Sequence, residues 1–248
     1  MKKIVIILIL MLALPLVALQ AQIENDTEIF EEEEVLEFEL NDFYSIKLRQ
    51  ISESEYTAKE KESEHLRHKP YKVVTDVNKA KKMLGKKLKN VTIQDGNDTR
   101  IVVEITFKDK TKKRLDWCNL ENGFVAYYPE CNVLCFLGEA ESDYVFDLND
   151  YDKSVSENVG NPLYHILSPN KQLLISGRYS NPADCVWRFL EKWNPLKKKY
   201  EFINYLWGEN HQFDFCNSDG WFWTSNNKIL FKYVCGYGSY YEMELIEK

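Results

Sequence analysis

The chain has 248 residues and a formal charge of −7, so its average field disfavours a polyanionic partner such as nucleic acid. Its length suits one large domain or two small ones. Lysines crowd residues 79–89, but a solvated helix face explains them as well as an anionic ligand does. We therefore predict no nucleic-acid partner.

Residues 1–21 have the order of a secretory signal peptide. Two lysines precede an apolar stretch at 4–19, and the small residue Ala21 follows. The stretch has about 16 residues and contains Pro15, whereas a membrane span needs about 20. We predict cleavage after Ala21 and no stable membrane span, with cleavage after Ala18 or an uncleaved anchor as alternatives.

Export has further consequences for the mature chain. The removed segment carries two lysines and no acid, so about 227 residues with a formal charge of −9 would remain. No cysteine lies near the cleavage site, so a lipoprotein is not expected. The short dilysine leader favours a Gram-negative bacterium, and the predicted location is secreted or periplasmic. Residues 22–35 are rich in acids and poor in apolar residues, which predicts a flexible acidic leader.

The sequence after the leader first has the pattern of strands and then the pattern of helices. In residues 36–40 and 44–48 apolar side chains alternate with polar ones, which predicts two half-buried strands. Ser52, with a glutamate three residues later, has the form of a capping box and predicts a surface helix. A second helix is predicted from a cap at Thr75 to a terminating Gly85.

The rest of the chain has the pattern of antiparallel strands. It begins with a hairpin whose turn contains the Asp95-Gly96 pair. We therefore predict a mainly β fold of antiparallel sheets, with one or two short helices near the N-terminus. The predicted organisation is a single β-rich domain at 36–248, made of a small α/β segment at 36–85 and a β-repeat region at 86–248.

A loose repeat runs through the second half of the chain. Residues 128–136, 167–175 and 224–231 each contain a polar turn and an apolar strand, and an aromatic strand follows each of them. The Ser-Pro-Asn-Lys-Gln-Leu turn at 168–173 resembles the blades of WD40 or TolB-like β-propellers. The resemblance implies a propeller-like arrangement. The Trp-Asp and Gly-His signatures of WD40 blades are missing, and an open β stack or a sandwich is the alternative.

All six cysteines lie in the second half of the chain, at positions 118, 131, 135, 185, 216 and 235. In an oxidising compartment an even number of cysteines can form disulfides, although their connectivity cannot be read from the sequence. Cys131 and Cys135 would lie about 13 Å apart in an extended strand, which is too far for a mutual bond. Buried free thiols are the alternative.

Histidines offer two candidate chemistries. His65 and His68 lie three residues apart on a predicted helix face, but the zinc-protease spacing is absent, so we predict no metal site. His165 lies near Ser168 in the sequence, and His211 lies near two aspartates. Together with nearby carboxylates these histidines could form a hydrolase site if folding brings them together.

Two further clusters carry candidate functions. Carboxylates at Asp147, Asp150 and Asp152 would suit glycoside or calcium chemistry, although such clusters usually mark solvated turns. Aromatic residues are dense at the C-terminal end, where rings could stack on sugars or on the side chains of a partner. The aromatic residues chosen as candidate ligand contacts are Trp187, Trp207, Trp221, Trp223, Tyr237 and Tyr240. Packing in a sheet core is the alternative for all of them.

The sequence does not name a reaction, and a non-catalytic role is favoured. Our hypothesis is an extracytoplasmic binding or scaffold module for a glycan or an extracellular protein, which needs no cofactor. The alternative is a secreted hydrolase built on His165, His211 and nearby carboxylates. A histidine within hydrogen-bond reach of a carboxylate in a cleft would favour the enzyme, and a shallow aromatic patch would favour binding.

Overall fold

The structure of the protein is a computed structural model that describes most of the chain after the predicted leader. It describes residues 35–96, 98–138, 141–206, 213, 215–234 and 238–248. The predicted signal peptide and residues 22–34 lie outside these ranges. So do several residues singled out in the sequence, namely Trp207, His211, Cys235 and Tyr237.

The described chain begins with two strands and a capped helix. Strand β1 spans Val35–Glu39, strand β2 spans Tyr44–Ile51 and helix α1 spans Glu53–Ser63. The hydroxyl of Ser52 accepts a hydrogen bond from the amide of Glu55 at 3.1 Å, so the predicted cap is confirmed. Helix α1 has almost no apolar face, and buried Tyr56 attaches it by donating to the carbonyl of Gly220 at 2.7 Å.

Helix α2 follows at Val77–Leu84 and is fixed by its two ends. Its cap is Asp76, whose carboxylate accepts from the amide of Lys79 at 2.8 Å, so the prediction of Thr75 as the cap is wrong by one residue. A carboxylate in that position also favours the positive end of the helix dipole. The helix ends at Gly85, whose φ of 57° suits glycine.

Two three-stranded antiparallel sheets come next in the chain. The first sheet has the order β3-β4-β5, with β3 at Leu88–Asp95, β4 at Asp98–Thr106 and β5 at Lys112–Leu115. Helix α3 at Leu120–Gly123 leads into the second sheet. The second sheet has the order β6-β7-β8, with β6 at Phe124–Tyr128, β7 at Val133–Leu137 and β8 at Asp143–Asp147. A shared apolar core lies between these two sheets.

The third sheet follows helix α4, which spans Tyr151–Val155. Its order is β12-β11-β10-β9, with β9 at Ile166–Leu167, β10 at Leu173–Ser180, β11 at Cys185–Asn194 and β12 at Lys199–Tyr205. The pairing of β11 with β12 shifts between Leu190 and Glu191, which is a bulge. Bulges redirect side chains and are frequent beside functional sites.

The fourth sheet joins the two ends of the described chain. Its order is β1-β2-β15-β14-β13, with β13 at Ser218–Trp223, β14 at Lys228–Tyr233 and β15 at Ser239–Glu247. Strand β2 pairs with β15 along its whole length, from Tyr240 opposite Ile51 to Glu247 opposite Tyr44. The inner faces of the third and fourth sheets share one apolar core. Residues 36–248 form one compact unit.

The fold is therefore mainly β, with four antiparallel sheets and few short helices. Each repeated segment becomes a pair of neighbouring antiparallel strands, namely β7 with β8, β10 with β11 and β14 with β15. No closed barrel or propeller is found in the part of the chain that the structure describes. None of the helices in the described ranges has the length and apolar character that a bilayer-spanning segment requires.

The five cysteines within the described ranges divide into one bonded pair and three free thiols. Cys185 at the start of β11 forms a disulfide with Cys216. The expectation that Cys131 and Cys135 do not bond to each other is confirmed, since both are free, as is buried Cys118. Burial raises the pKa of Cys118 to about 11, which leaves its thiol protonated and unreactive at neutral pH.

Candidate functional site

A cavity of about 830 Å³ lies beside the second and third sheets. Its volume is in the range of small-molecule binding sites. Its wall combines three kinds of side chain: aromatic rings, carboxylates and lysines. These include the rings of Tyr71, Trp193 and Tyr200, the carboxylates of Asp147, Asp150 and Glu191, and the lysines Lys153 and Lys199.

Glu191 on β11 is a buried charge in the cavity wall, with a side chain only 1% exposed. Lys153 on α4 donates from Nζ to Oε2 of Glu191 at 2.6 Å, and Ser176 donates to Oε1 at 2.8 Å. Burial raises the pKa of Glu191, and the nearby charge of Lys153 counteracts part of that rise. Glu191 and Lys153 thus form a carboxylate–ammonium pair in the cavity wall.

Asp147 at the end of β8 brings a second carboxylate to the cavity. Its Oδ1 accepts from the backbone amide and from Nδ2 of Asn149, at 2.9 and 3.0 Å. Its Oδ2 has no partner among the described residues. Burial raises the pKa of Asp147. The hydroxyl of buried Ser154 donates to the carbonyl of Asp147 at 3.1 Å and accepts from its amide at 2.9 Å. This acceptor is therefore held rigidly and has capacity for one more donor.

Asp150 caps α4 and pairs with a lysine from the third sheet. Its Oδ1 accepts from the amide of Lys153 at 3.1 Å, and its Oδ2 forms an ion pair with Lys199 at the start of β12. Burial acts to raise the pKa of Asp150, but the hydrogen bonds from Lys199 and from the Lys153 amide together lower it. The hydrogen bond to Asp150 raises the pKa of Lys199 in turn. The two side chains therefore remain charged and paired.

Three aromatic rings line the same cavity. Trp193 and Tyr200 are directly opposite each other on β11 and β12, and their ring centroids lie 5.2 Å apart. Tyr71 comes from the segment before α2. That segment is fixed because the backbones of Val74 and Tyr127 exchange two hydrogen bonds of 2.9 Å. Burial raises the pKa of Tyr71 to about 12, and its hydroxyl has no hydrogen-bond partner in the described ranges. The site thus offers apolar ring surface beside free polar groups.

His165 and Cys131 also line the cavity, without forming a catalytic pair. The ring of His165 packs edge-on against Tyr71, with centroids 5.7 Å apart. Its two ring nitrogens are buried and have no hydrogen-bond partner among the residues that the structure describes. Burial lowers the pKa of His165 to about 3, and burial raises the pKa of the Cys131 thiol to about 12. With these pKa values, His165 is a weak base for activating a nucleophile at neutral pH, and the protonated thiol of Cys131 is a weak nucleophile.

Two residues of the predicted aromatic platform, Trp221 and Trp223, belong to the core, and both also line a small cavity of about 240 Å³. They are 8% and 3% exposed, and Trp221 stacks on Phe231 with ring centroids 4.4 Å apart. Their indole nitrogens donate at 2.9 Å, that of Trp221 to Ser218 and that of Trp223 to the carbonyl of Ile166. A buried indole with a satisfied N–H is a stable core element, so most of the surface of both rings is used for packing.

The other predicted platform residues do not meet in one described surface. Trp187 on β11 is half-buried in the third sheet, where the guanidinium of Arg178 lies 5.7 Å from its ring centroid. Tyr240 on β15 is half-buried in the fourth sheet and donates from its hydroxyl to Glu53 at 2.9 Å. Trp207 and Tyr237 lie outside the described residues. The structure therefore moves the candidate site from the platform to the cavity.

Metal chemistry has no support in the described part of the chain. Among those residues, no group of three or more histidine, cysteine, aspartate or glutamate side chains could hold a metal ion. Neither the two histidines His65 and His68 nor the three carboxylates of Asp147, Asp150 and Asp152 belong to such a group. Asp147 and Asp150 line the cavity instead, where lysines and amides are their neighbours.

The sequence pointed to only part of this cavity. His165, Asp147 and Asp150 were candidates, whereas Glu191, Lys153 and the ring pair of Trp193 and Tyr200 were not. One signal was present: Glu191 directly follows the apolar residues Phe189 and Leu190 in a strand. A charged residue in such a strand is buried only when it has a partner.

Comparison with known proteins found no matching family model, no similar curated protein and no similar solved structure.

Proposed function

We propose that this chain is a non-catalytic, extracytoplasmic binding module that holds part of a saccharide in the cavity beside the second and third sheets. One observation carries the proposal: the ring pair of Trp193 and Tyr200 lines the same cavity as the carboxylate of Asp147, whose Oδ2 has no partner among the described residues. The site is the cavity, and the previously predicted aromatic platform is not part of the proposal.

This combination matches the two surfaces of a sugar ring. The C–H groups of a pyranose form an apolar face that packs against aromatic side chains. Its hydroxyl groups need acceptors and donors at the edge of the ring, and Asp147 and Tyr71 have free capacity for both. Lys153 and Glu191 supply a second pair of polar groups that is already held in place by α4 and β11. Groups that are fixed before binding lose little entropy when the ligand arrives.

Export to an oxidising compartment is part of the proposal. The disulfide between Cys185 and Cys216 is the kind of bond that persists outside the cytoplasm, and it supports the predicted signal peptide at 1–21. The open β stack, which the sequence allowed as the alternative to a propeller, is also proposed here. Its support is that all four sheets are antiparallel and that each of the two large apolar cores is shared by two sheets.

The experiment is a glycan array followed by calorimetric titration of the best oligosaccharide into the purified protein. We expect binding that Trp193→Ala weakens by about tenfold, because one aromatic stacking contact contributes roughly 1–1.5 kcal/mol. Trp187→Ala is the matched control, since it removes the same ring from the same strand outside the cavity. Equal losses in both variants, or binding only to an extracellular protein, would overturn the proposal.

A second candidate function is hydrolysis of a glycosidic bond, and one observation favours it. Asp147 and Glu191 line one cavity, and burial raises the pKa of both, as a general acid requires. The predicted alternative based on His165 receives no such support, because its ring has no carboxylate partner among the described residues. Release of reducing ends from the bound oligosaccharide, abolished in Glu191→Gln, would select the enzyme. Binding without release selects the binding module.

A further inference from the structure

The charges that line the cavity are not all paired with one another. Five lysines and four acids contribute to its wall. Three of the lysines have carboxylate partners: Lys153 with Glu191, Lys197 with Glu201 and Lys199 with Asp150. Lys108 and Lys198 are exposed and have no ion-pair partner in the described part of the chain. Glu130 and Asp147 likewise have no ion-pair partner in that part of the chain, so two ammonium groups and two carboxylates at the cavity remain available to a ligand.

The backbone fixes the positions from which these two lysines extend. The amide of Lys108 donates to the carbonyl of Leu148 at 2.8 Å, so Lys108 lies beside the end of β8 and hence near Asp147. Lys198 lies in the turn between β11 and β12 with a φ of 52°. Asn194 holds that turn, because its Oδ1 accepts from two successive amides of the turn at 3.0 and 3.1 Å. Both lysines thus start from ordered backbone on the cavity wall.

We infer that the ligand is an anionic saccharide, whose negative group binds at Lys108 and Lys198 while a sugar ring packs against Trp193. The inference rests on the proposed function. The ammonium group of lysine is a compact positive charge. It lacks the planar set of donors with which arginine selects a carboxylate. The negative group can therefore be the carboxylate of a uronic acid or a sulfate ester. The acidic chain as a whole repels such a ligand, so these local charges are needed to attract it.

The test compares three oligosaccharides of equal length by calorimetric titration: a neutral one, one that contains uronic acid and one that is sulfated. We expect one of the two charged ligands to bind about tenfold more tightly than the neutral one at 50 mM salt. The double variant Lys108→Gln/Lys198→Gln should remove that advantage, since each exposed ion pair contributes about a threefold to fivefold change in affinity. Affinity for the neutral ligand should stay the same.

Lys82→Gln is the matched control, because Lys82 is an exposed lysine on α2 outside the cavity. It changes the net charge without changing the site, and its affinities should equal those of the wild type. Tighter binding of the uronate or of the sulfated ligand identifies which anion is recognised. Equal affinity for neutral and charged ligands would overturn this inference and leave the proposed function intact. Failure of all three ligands to bind would overturn both.

Discussion

The ammonium group of Lys153 lies 2.6 Å from a carboxylate oxygen of Glu191, whose side chain is only 1% exposed. The contact joins helix α4 to strand β11, and the two residues are 38 positions apart in the sequence. Removing a carboxylate from water is costly unless a fixed partner compensates its charge. The pair therefore links the stability of the fold to the geometry of the cavity.

Replacing Lys153 by methionine should destabilise the protein by about 3 kcal/mol, because it leaves a buried carboxylate without its cation. Glu191 would then take up a proton more readily in the folded state, so its raised pKa would rise further. The cost of burying the unpaired carboxylate is absent below the pKa that Glu191 has in the unfolded chain, and it grows as the pH rises above that value. Urea unfolding should therefore show a smaller loss at pH 4 than at pH 7. A similar loss at both values would contradict this account of the pair.

Adding Glu191→Gln to Lys153→Met completes a double-mutant cycle for the same contact. The double variant should be more stable than the single variant Lys153→Met, since no unpaired charge remains in it. Two additive losses would show that the two side chains are not coupled.

Glu104 should stabilise the first sheet in a pH-dependent way. Its carboxylate is 2% exposed and lies 3.0 to 3.2 Å from cationic nitrogens of Lys89, Lys112 and Arg114. Hydrogen bonding, most of all from Lys112, lowers its pKa to about 2. The stabilisation is then complete above the unfolded pKa of about 4.3 and is lost as the pH falls towards 2. We expect Glu104→Gln to cost about 1 kcal/mol at pH 7, because the three cations are half exposed.

The check is chemical unfolding of wild type and Glu104→Gln at pH 7 and at pH 2.5. The difference between the two proteins should shrink at the lower pH. A difference that does not change with pH would mean that the charge of Glu104 makes no contribution.

His165 should remain neutral well below the usual pKa of histidine. Burial lowers its pKa to about 3, so the unfolded chain binds a proton between about pH 6.5 and 3 while the folded chain does not. This residue therefore reduces stability as the pH falls through that range. The imidazole NMR signals of His165, identified by their absence in the variant His165→Gln, should not shift between pH 8 and 5. A midpoint near 6.5 would show that the ring is open to water.

The disulfide should contribute substantially to stability. Cys185 and Cys216 are 31 residues apart, and closing a loop of that length stabilises a fold by about 3–4 kcal/mol in the chain-entropy model. The double variant Cys185→Ser/Cys216→Ser should lose that amount in urea unfolding. Dithiothreitol should lower the melting temperature of the wild type and leave the double variant unchanged. A wild type that is equally stable with and without the reductant would show that the bond does not matter for folding.

Local elements of this fold could be predicted from the sequence because their causes are local. Alternation gave the strand at Tyr44–Ile51, and the hydroxyl of Ser52 gave the start of α1. The pairing of β15 with β2 could not be predicted, because the choice of a neighbour depends on packing between residues about 190 positions apart.

The candidate site shows the same limit. Trp221 looked like a ligand contact because the sequence around it is polar and aromatic. Only the fold reveals that its ring stacks on Phe231 and that its N–H is satisfied by Ser218. Conversely, the cavity draws Tyr71 and Trp193 from segments that are far apart in the sequence, and no local pattern joins them.

The most direct measurement is a crystal structure of the protein with the oligosaccharide that binds best on the array. We predict a sugar ring packed against Trp193, with a hydroxyl group within hydrogen-bond distance of Oδ2 of Asp147. A ligand bound elsewhere on the molecule, with the cavity empty, would show that this cavity is not the saccharide site.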